Sequence, residues 1–224
     1  MSEDDFNDKL FEAVYEILIK KGVKSTTMDS IARQLQISKR TLYEMFENKT
    51  ELLTRAMKHH ADNHRRKCEE IALNSPNLME SLVKIFKLHR DDISRVSVDF
   101  FRDMDRLHPG FRDDYETRHE LFRKQMMKMF QYGVEQGVFR NDINFPTFVR
   151  IVELQMESVI RMKEIYTGDM SITEVFDTVM ICYLRAIASP KGLEILDEAI
   201  PKYFPELSSS PHPAPEDENL DNEK

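Results

Sequence analysis

Lys39, Arg40, Thr41, Tyr43 and Lys49 fall within eleven residues of one another in the stretch "SKRTLYEMFENK". Guanidinium, ammonium and hydroxyl groups gathered this closely are the groups that hold phosphate oxygens and read base edges. The chain around them has the opposite sign, a formal net charge of −8 over 224 residues. From Lys20 to Lys67 there are twelve Lys/Arg and five Asp/Glu, so this segment is +7 inside an acidic protein. Charge asymmetry of this kind is the electrostatic footprint of a nucleic-acid reader. Charge alone fits a solvated basic face equally well, so the elements that position these residues have to decide.

Phe6, Leu10, Ala13, Val14, Ile17 and Leu18 recur at helical spacing and predict a first helix over about 5–21, stopped by Gly22. Thr27 is placed to cap a two-turn helix whose apolar face is Met28, Ile31, Ala32 and Leu35. After "QIS", Ser38 is placed to cap a third short helix with Leu42 and Phe46 inward. Asn48, with Glu51 three residues on, has the spacing of a capping box and opens a long helix to about 73. Two short helices joined by a three- or four-residue turn form a helix-turn-helix. Lys39 and Arg40 then occupy the first exposed positions of its second helix, within reach of guanine O6 and N7 or of a phosphate. Tyr43 presents a hydroxyl one turn on, Lys49 a point charge, and Thr27 a hydroxyl at the start of the first short helix.

The order of these features closely resembles the tetracycline-repressor-like (TetR) family of bacterial transcription regulators. Gly22, Thr26, Thr27, Ile31, Ala32, Ile37, Ser38, Thr41, Leu42, Tyr43, Phe46, Lys49 and Leu53 carry the resemblance, which covers about the first quarter of the chain. It implies backbone contacts to DNA from Thr27, Ser38, Thr41, Tyr43 and Lys49, and positions near bases for Lys39, Arg40 and Glu44. It also implies a small core of Ile31, Ala32, Leu42 and Phe46. Three positions depart from the family habit. Gln36 stands where Gly is frequent, which costs on the order of 1 kcal/mol if its φ is positive. Arg40 stands where Gly is common, and Met45 replaces a frequent His.

Further helices are expected at about 77–88, 92–107, 111–136, 146–166 and 172–188, with a break at "SPKG" and a short final helix "LEILDEAI". Few glycines, many strong helix formers and no polar–apolar alternation make the fold all-α. The expected organisation is an N-terminal three-helix helix-turn-helix DNA-binding domain over 1–48 and a larger C-terminal helical domain for effector binding and dimerisation over 49–200. A tail over 201–224 is expected to be disordered after about 207. The helices near 146–166 and 172–188 are apolar on more than one narrow stripe, so a second copy of the chain is expected to cover the extra face.

By resemblance, the larger half binds a small molecule that biases the spacing of two DNA-binding units, in the manner of a repressor released from a palindromic operator. The candidate lining is Phe100, Phe101, Met104, Phe122, Met126, Met129, Phe130 and Met156, which implies an apolar effector. Such residues also simply fill cores. His60, His64 and Cys68 lie at i, i+4 and i+8 on the long helix. The outer two are about 12 Å apart along the axis, so at most two could share an ion, with other ligands from elsewhere. Histidines on a basic helix are more often plain surface, and no metal or cofactor is expected.

The chain has no Gly-rich phosphate loop, nucleophile elbow or HExxH, and His119 beside Glu120 do not share a helix face. The expectation is a regulator and not an enzyme. A helical binding module with weakened DNA binding is the alternative, and the intact Lys39, Tyr43 and Lys49 argue against it. The acidic start "MSEDDFNDK" lacks the features of a signal peptide, no apolar run is long enough to span a bilayer, and the two cysteines form no spaced pair. A cytoplasmic protein is expected.

Overall fold

The computed structural model describes residues 3–104, 109–160 and 170–208, with backbone alone over 109–119 and at several further positions that include Phe101, Met104 and Phe122. Of the tail expected to be disordered after about 207, Ser208 is helical and residues 209–224 fall outside the described residues, as do positions 161–166 of the expected dimer helix. The fold is all-α. Its helices are α1 (Glu3–Ser25), α2 (Met28–Leu35), α3 (Lys39–Met45), α4 (Lys49–Leu73), α5 (Leu78–Ile93), α6 (Val98–Met104), α7 (Pro109–Glu135), α8 (Phe145–Ile160), α9 (Ile172–Ile187), α10 (Pro190–Tyr203) and α11 (Pro205–Ser208). Among the described residues, no helix is long and apolar enough to cross a membrane.

Two large hydrophobic cores organise these helices, and a small third cluster joins Val159 of α8 to Val175 of α9. The first joins Leu10, Val14, Ile17 and Leu18 of α1 to Ile31 and Ala32 of α2, Leu42 of α3, and Leu52, Leu53 and Ala56 of α4. It thus reaches past residue 48 into α4, and it also takes in Phe100 of α6. The second gathers Met79 and Val83 of α5, Phe130 of α7, Val149 of α8, Leu184 and Ile187 of α9, and Leu196 and Ile200 of α10.

The end of α1 is where α6 joins the first core. Gly22 has φ 74 and ψ 167, a conformation that interrupts the helix. Buried Thr26 restores the lost bonding, its hydroxyl donating to the Gly22 carbonyl at 2.7 Å. The N–H of Lys24 donates to the Asp103 carboxylate of α6 at 2.8 Å, and the N–H of Ser97 donates to the Ile19 carbonyl at 2.8 Å. The C-terminal turn of α1, whose backbone groups would otherwise lack partners, is therefore held by α6.

The helix boundaries differ from the sequence-based reading around 89–97 and around 188–203 in particular. The break expected near 89–91 falls at 94–97, because α5 continues to Ile93 and α6 starts only at Val98. The break expected at "SPKG" is present but confined to Ala188 and Ser189, and the helix after it is longer and starts earlier than "LEILDEAI". Ser189 caps the fourteen-residue α10, its hydroxyl accepting from the Gly192 N–H at 3.1 Å, and Pro190 occupies the first helical turn. Proline is well suited there, since its ring pre-sets the helical φ and the missing N–H has no helical partner anyway.

Candidate nucleic-acid interface

The turn between α2 and α3 is built from caps. The Thr27 hydroxyl accepts from the Ser30 N–H at 3.1 Å, while the Thr27 N–H donates to the Ser30 hydroxyl at 2.9 Å, closing a reciprocal box. As an acceptor, Thr27 keeps its own hydroxyl hydrogen for a phosphate. Gln36 ends α2 in the left-handed region, with φ 56 and ψ 33. This is the strained position that the resemblance flagged. Gln36→Gly is therefore expected to raise stability by about 0.5–1 kcal/mol, the left-handed penalty offset in part by glycine's greater freedom when unfolded. A urea midpoint no higher than that of the parent would count against this account.

Ser38 caps α3, its hydroxyl accepting from the Thr41 N–H at 2.9 Å. The same hydroxyl lies 2.7 Å from that of Thr41. One hydrogen bridges the two oxygens and the other remains to be offered outward. Thr27, Ser38, Lys39, Arg40 and Tyr43 are all exposed, and Thr41 is half-buried. Tyr43 is 49% exposed, an unusual position for a large aromatic ring. The Lys39 ammonium sits 6.0 Å from that ring.

The cations of this face are paired with acids of the same face. Lys39 bonds Asp29 of α2 at 2.7 Å, and Arg40 bonds Glu44 one turn along α3 at 2.7 Å. The hydrogen bond that the Lys39 ammonium donates to Asp29, then the charge of that carboxylate, holds the ammonium above its ordinary value. Glu44 thus serves here as the partner of Arg40. Exposed ion pairs of this kind contribute about 0–1 kcal/mol, so a phosphate or a guanine edge can displace the acid.

Lys49 is placed differently from the other cations. It is half-buried, and its ammonium donates to the Val23 carbonyl at 3.0 Å, tying the start of α4 to the end of α1. The Asn48 side chain accepts from the Glu51 N–H at 3.0 Å as its spacing suggested. Glu51 returns its own bond to the Glu47 N–H at 2.7 Å, one residue earlier than a capping box would have it. Sequence reasoning passed over an open cleft beside this turn, lined by Asn48, Thr50, Glu51, Thr54 and Arg55. Thr50, directly after the cap and the Lys49 cation, was the signal available for it. Arg55 there bonds Glu51 at 2.8 Å and lies 5.7 Å from the Phe46 ring.

The eight candidate effector residues do not all come together. Phe100 is buried in the first core. Phe130 is buried in the second, stacked on Phe145 with ring centroids 4.3 Å apart, and Met126 and Met129 pack against that core. Met156 is half-buried on α8. The side chains of Phe101, Met104 and Phe122 lie outside the described residues. A narrow apolar cleft between α5, α9 and α10, walled by Phe86, Phe176, Met180, Ile181, Phe204 and Leu207, contains none of the eight.

Residues 10–56 match the family model for bacterial regulatory proteins of the tetR family. Over 97 residues the chain is 28% identical to the uncharacterized HTH-type transcriptional regulator YvkB of Bacillus subtilis, which covers 41% of this chain and 50% of that protein. Over 159 residues it is 26% identical to the HTH-type transcriptional repressor KstR2 of Mycolicibacterium smegmatis, covering 65% of this chain and 73% of that one. The chain thus matches half the length of the Bacillus relative and about three quarters of the mycobacterial one. The fold recurs in the structure of the ketosteroid transcriptional regulator KstR2 of Mycobacterium tuberculosis, with a TM-score of 0.56 and 21% identity over 84% of this chain and 97% of that one. The exposed basic α3, capped by Ser38, lies inside the segment that matches this family model, and both the sequence relatives and the fold support a tetR-like DNA-binding transcription regulator.

Proposed function

We propose that the protein is a homodimeric repressor, and not an enzyme, that grips a palindromic operator in the cytoplasm through two copies of α3 and is released by an apolar small molecule. The observation that carries the DNA-binding part is the exposed Lys39–Arg40–Tyr43 face, framed by the Thr27 and Ser38 hydroxyls. Repression is supported by the mycobacterial relatives, which are named repressors. Dimerisation is supported by α8, which exposes Ile151 and Leu154 at 49% and 46%, one turn apart. A second copy covering that face would bury an apolar stripe that a monomer leaves in water. An apolar effector is supported by the phenylalanine- and methionine-rich second core, and by the mycobacterial regulator whose name refers to ketosteroids. The route for release is the seam at the end of α1, where Asp103, Ser97 and Lys49 bind one turn of backbone. A ligand shifts the DNA-binding geometry only by its differential affinity for the two arrangements.

Selection from a random duplex pool tests this reading. The parent protein is expected to enrich a palindrome, and Lys39→Ala/Tyr43→Ala is expected to lose it while keeping the parent's circular dichroism. Each lost base contact weakens binding by about 1–3 kcal/mol, and each lost phosphate contact lowers the salt-dependence slope by about 0.9. No enrichment at low salt, from protein stripped of ligand by unfolding and refolding, would reject the proposal.

A further inference from the structure

We propose that His64 and Cys68 of α4 and His89 of α5 form a metal site for zinc or a chemically similar ion, a clip between the two helices. One donor atom from each residue lies within 4.8 Å of the other two. His64 and Cys68 are neighbours one turn apart, and their Nδ1 and Sγ are 3.5 Å apart. Zinc–nitrogen bonds of about 2.0–2.1 Å and a zinc–sulfur bond of about 2.3 Å at a tetrahedral angle set nearly that separation. His89 comes from the facing helix, its ring centroid 4.6 Å from that of His64. α4 alone offers two ligands at most, and the third is supplied by tertiary packing.

The other nitrogen of His64 supports the same reading. Nε2 lies 3.4 Å from the Asp92 carboxylate, the carboxylate–histidine arrangement that fixes tautomer and ring orientation in metal sites. Asp92 is itself held by Arg95 at 2.5 Å, and Arg95 by Glu16 of α1 at 2.7 Å. His60, the third residue of the α4 row, is committed elsewhere. Its ring stacks on Tyr15 with centroids 3.7 Å apart. Burial lowers His89 to about 4 and also lowers His64, so both imidazoles are neutral and able to donate a lone pair at neutral pH. Burial raises the Cys68 thiol, so the ion must displace its proton and one proton leaves to solvent for each thiolate–metal bond formed.

Two imidazoles and a thiolate select a borderline or soft transition ion over magnesium or calcium, which take oxygen ligands. Three protein ligands leave the fourth tetrahedral position for water. Because the ion would join α4 to α5, it would fix the pitch of the helix that leaves the DNA-binding unit. Metal binding itself is independent of the function proposed above and is read without DNA.

The test is a cobalt(II) titration of the reduced, metal-free, full-length protein. The expected result is ligand-field and thiolate-to-cobalt absorption bands that saturate at one ion per chain and are bleached by zinc. With Cys182 the only other cysteine, and exposed, Cys182→Ser should retain the thiolate band and Cys68→Ser should lose it. His89→Ala is expected to weaken binding at least tenfold, and Asp92→Asn by about 10–100-fold. Zinc should also raise the melting temperature of the parent, because the ion binds the folded state. No thiolate band in the parent, or a band that persists in Cys68→Ser or vanishes in Cys182→Ser, would overturn the proposal.

Discussion

Leu42→Ala is expected to remove about 2–5 kcal/mol from the N-terminal unit and to abolish DNA binding at ordinary salt. Leu42 is fully buried, and it is the one buried residue of the seven-residue α3. Isolated helices this short do not persist in water. α3 therefore owes its place to Leu42, to the Ser38 cap and to the buried Phe46 that follows it. Truncation leaves a cavity in the core that Leu42 shares with Ile31 and the α1 side chains, and only partly buried Met45 and the flanking Phe46 remain to dock α3. The chain has no tryptophan, so urea unfolding followed by circular dichroism is the suitable measurement. A loss under about 1 kcal/mol with DNA affinity unchanged would show that something other than core packing holds α3.

A comparable effect is expected from a far smaller change. Gly22→Ala should cost about 1–3 kcal/mol, because φ 74 with ψ 167 is a backbone region that side chains scarcely enter. The strain is compounded by close neighbours. A β-carbon there would stand 3.1 Å from the Asp103 carboxylate and 3.2 Å from the Asp99 backbone carbon. α6 would have to withdraw, and with it the bond from the Lys24 N–H to Asp103. Gly137 is the natural control, since its φ of 71 is also positive but a β-carbon there meets nothing within 4 Å. Gly137→Ala should cost about 1 kcal/mol. Equal losses at the two positions would mean that the approach of α6 to α1 contributes nothing to stability.

These two positions also illustrate what the sequence made legible. Gly22 reads as a helix stop and Leu42 as a core residue, because both act through local pattern. The same holds for the caps at Thr27, Ser38 and Asn48, since a cap is a contact between residues two or three apart. Contacts between distant elements left no comparable trace. Phe100 has the composition of a pocket residue but belongs to the DNA-binding core, which depends on where α6 docks. His89 carries no spacing relation to Cys68, twenty-one positions earlier, and only the α4–α5 pairing joins them. Charge was legible as a sum, whereas the pairing of Lys39 with Asp29 and of Arg40 with Glu44 was not. Lys49 reads as a free cation, yet it holds a carbonyl of α1.

The location of Phe100 and Asp103 on α6 also bears on how such proteins can be recombined. A chimera that joins residues 1–73 to a foreign helical body would carry the reading head without the wall that finishes it. The transferable piece is discontinuous: α1 to the first turns of α4, together with α6. Exchange of specificity between relatives should therefore succeed where the donor's α6 travels with its head, and fail at a single crossover placed between α4 and α5.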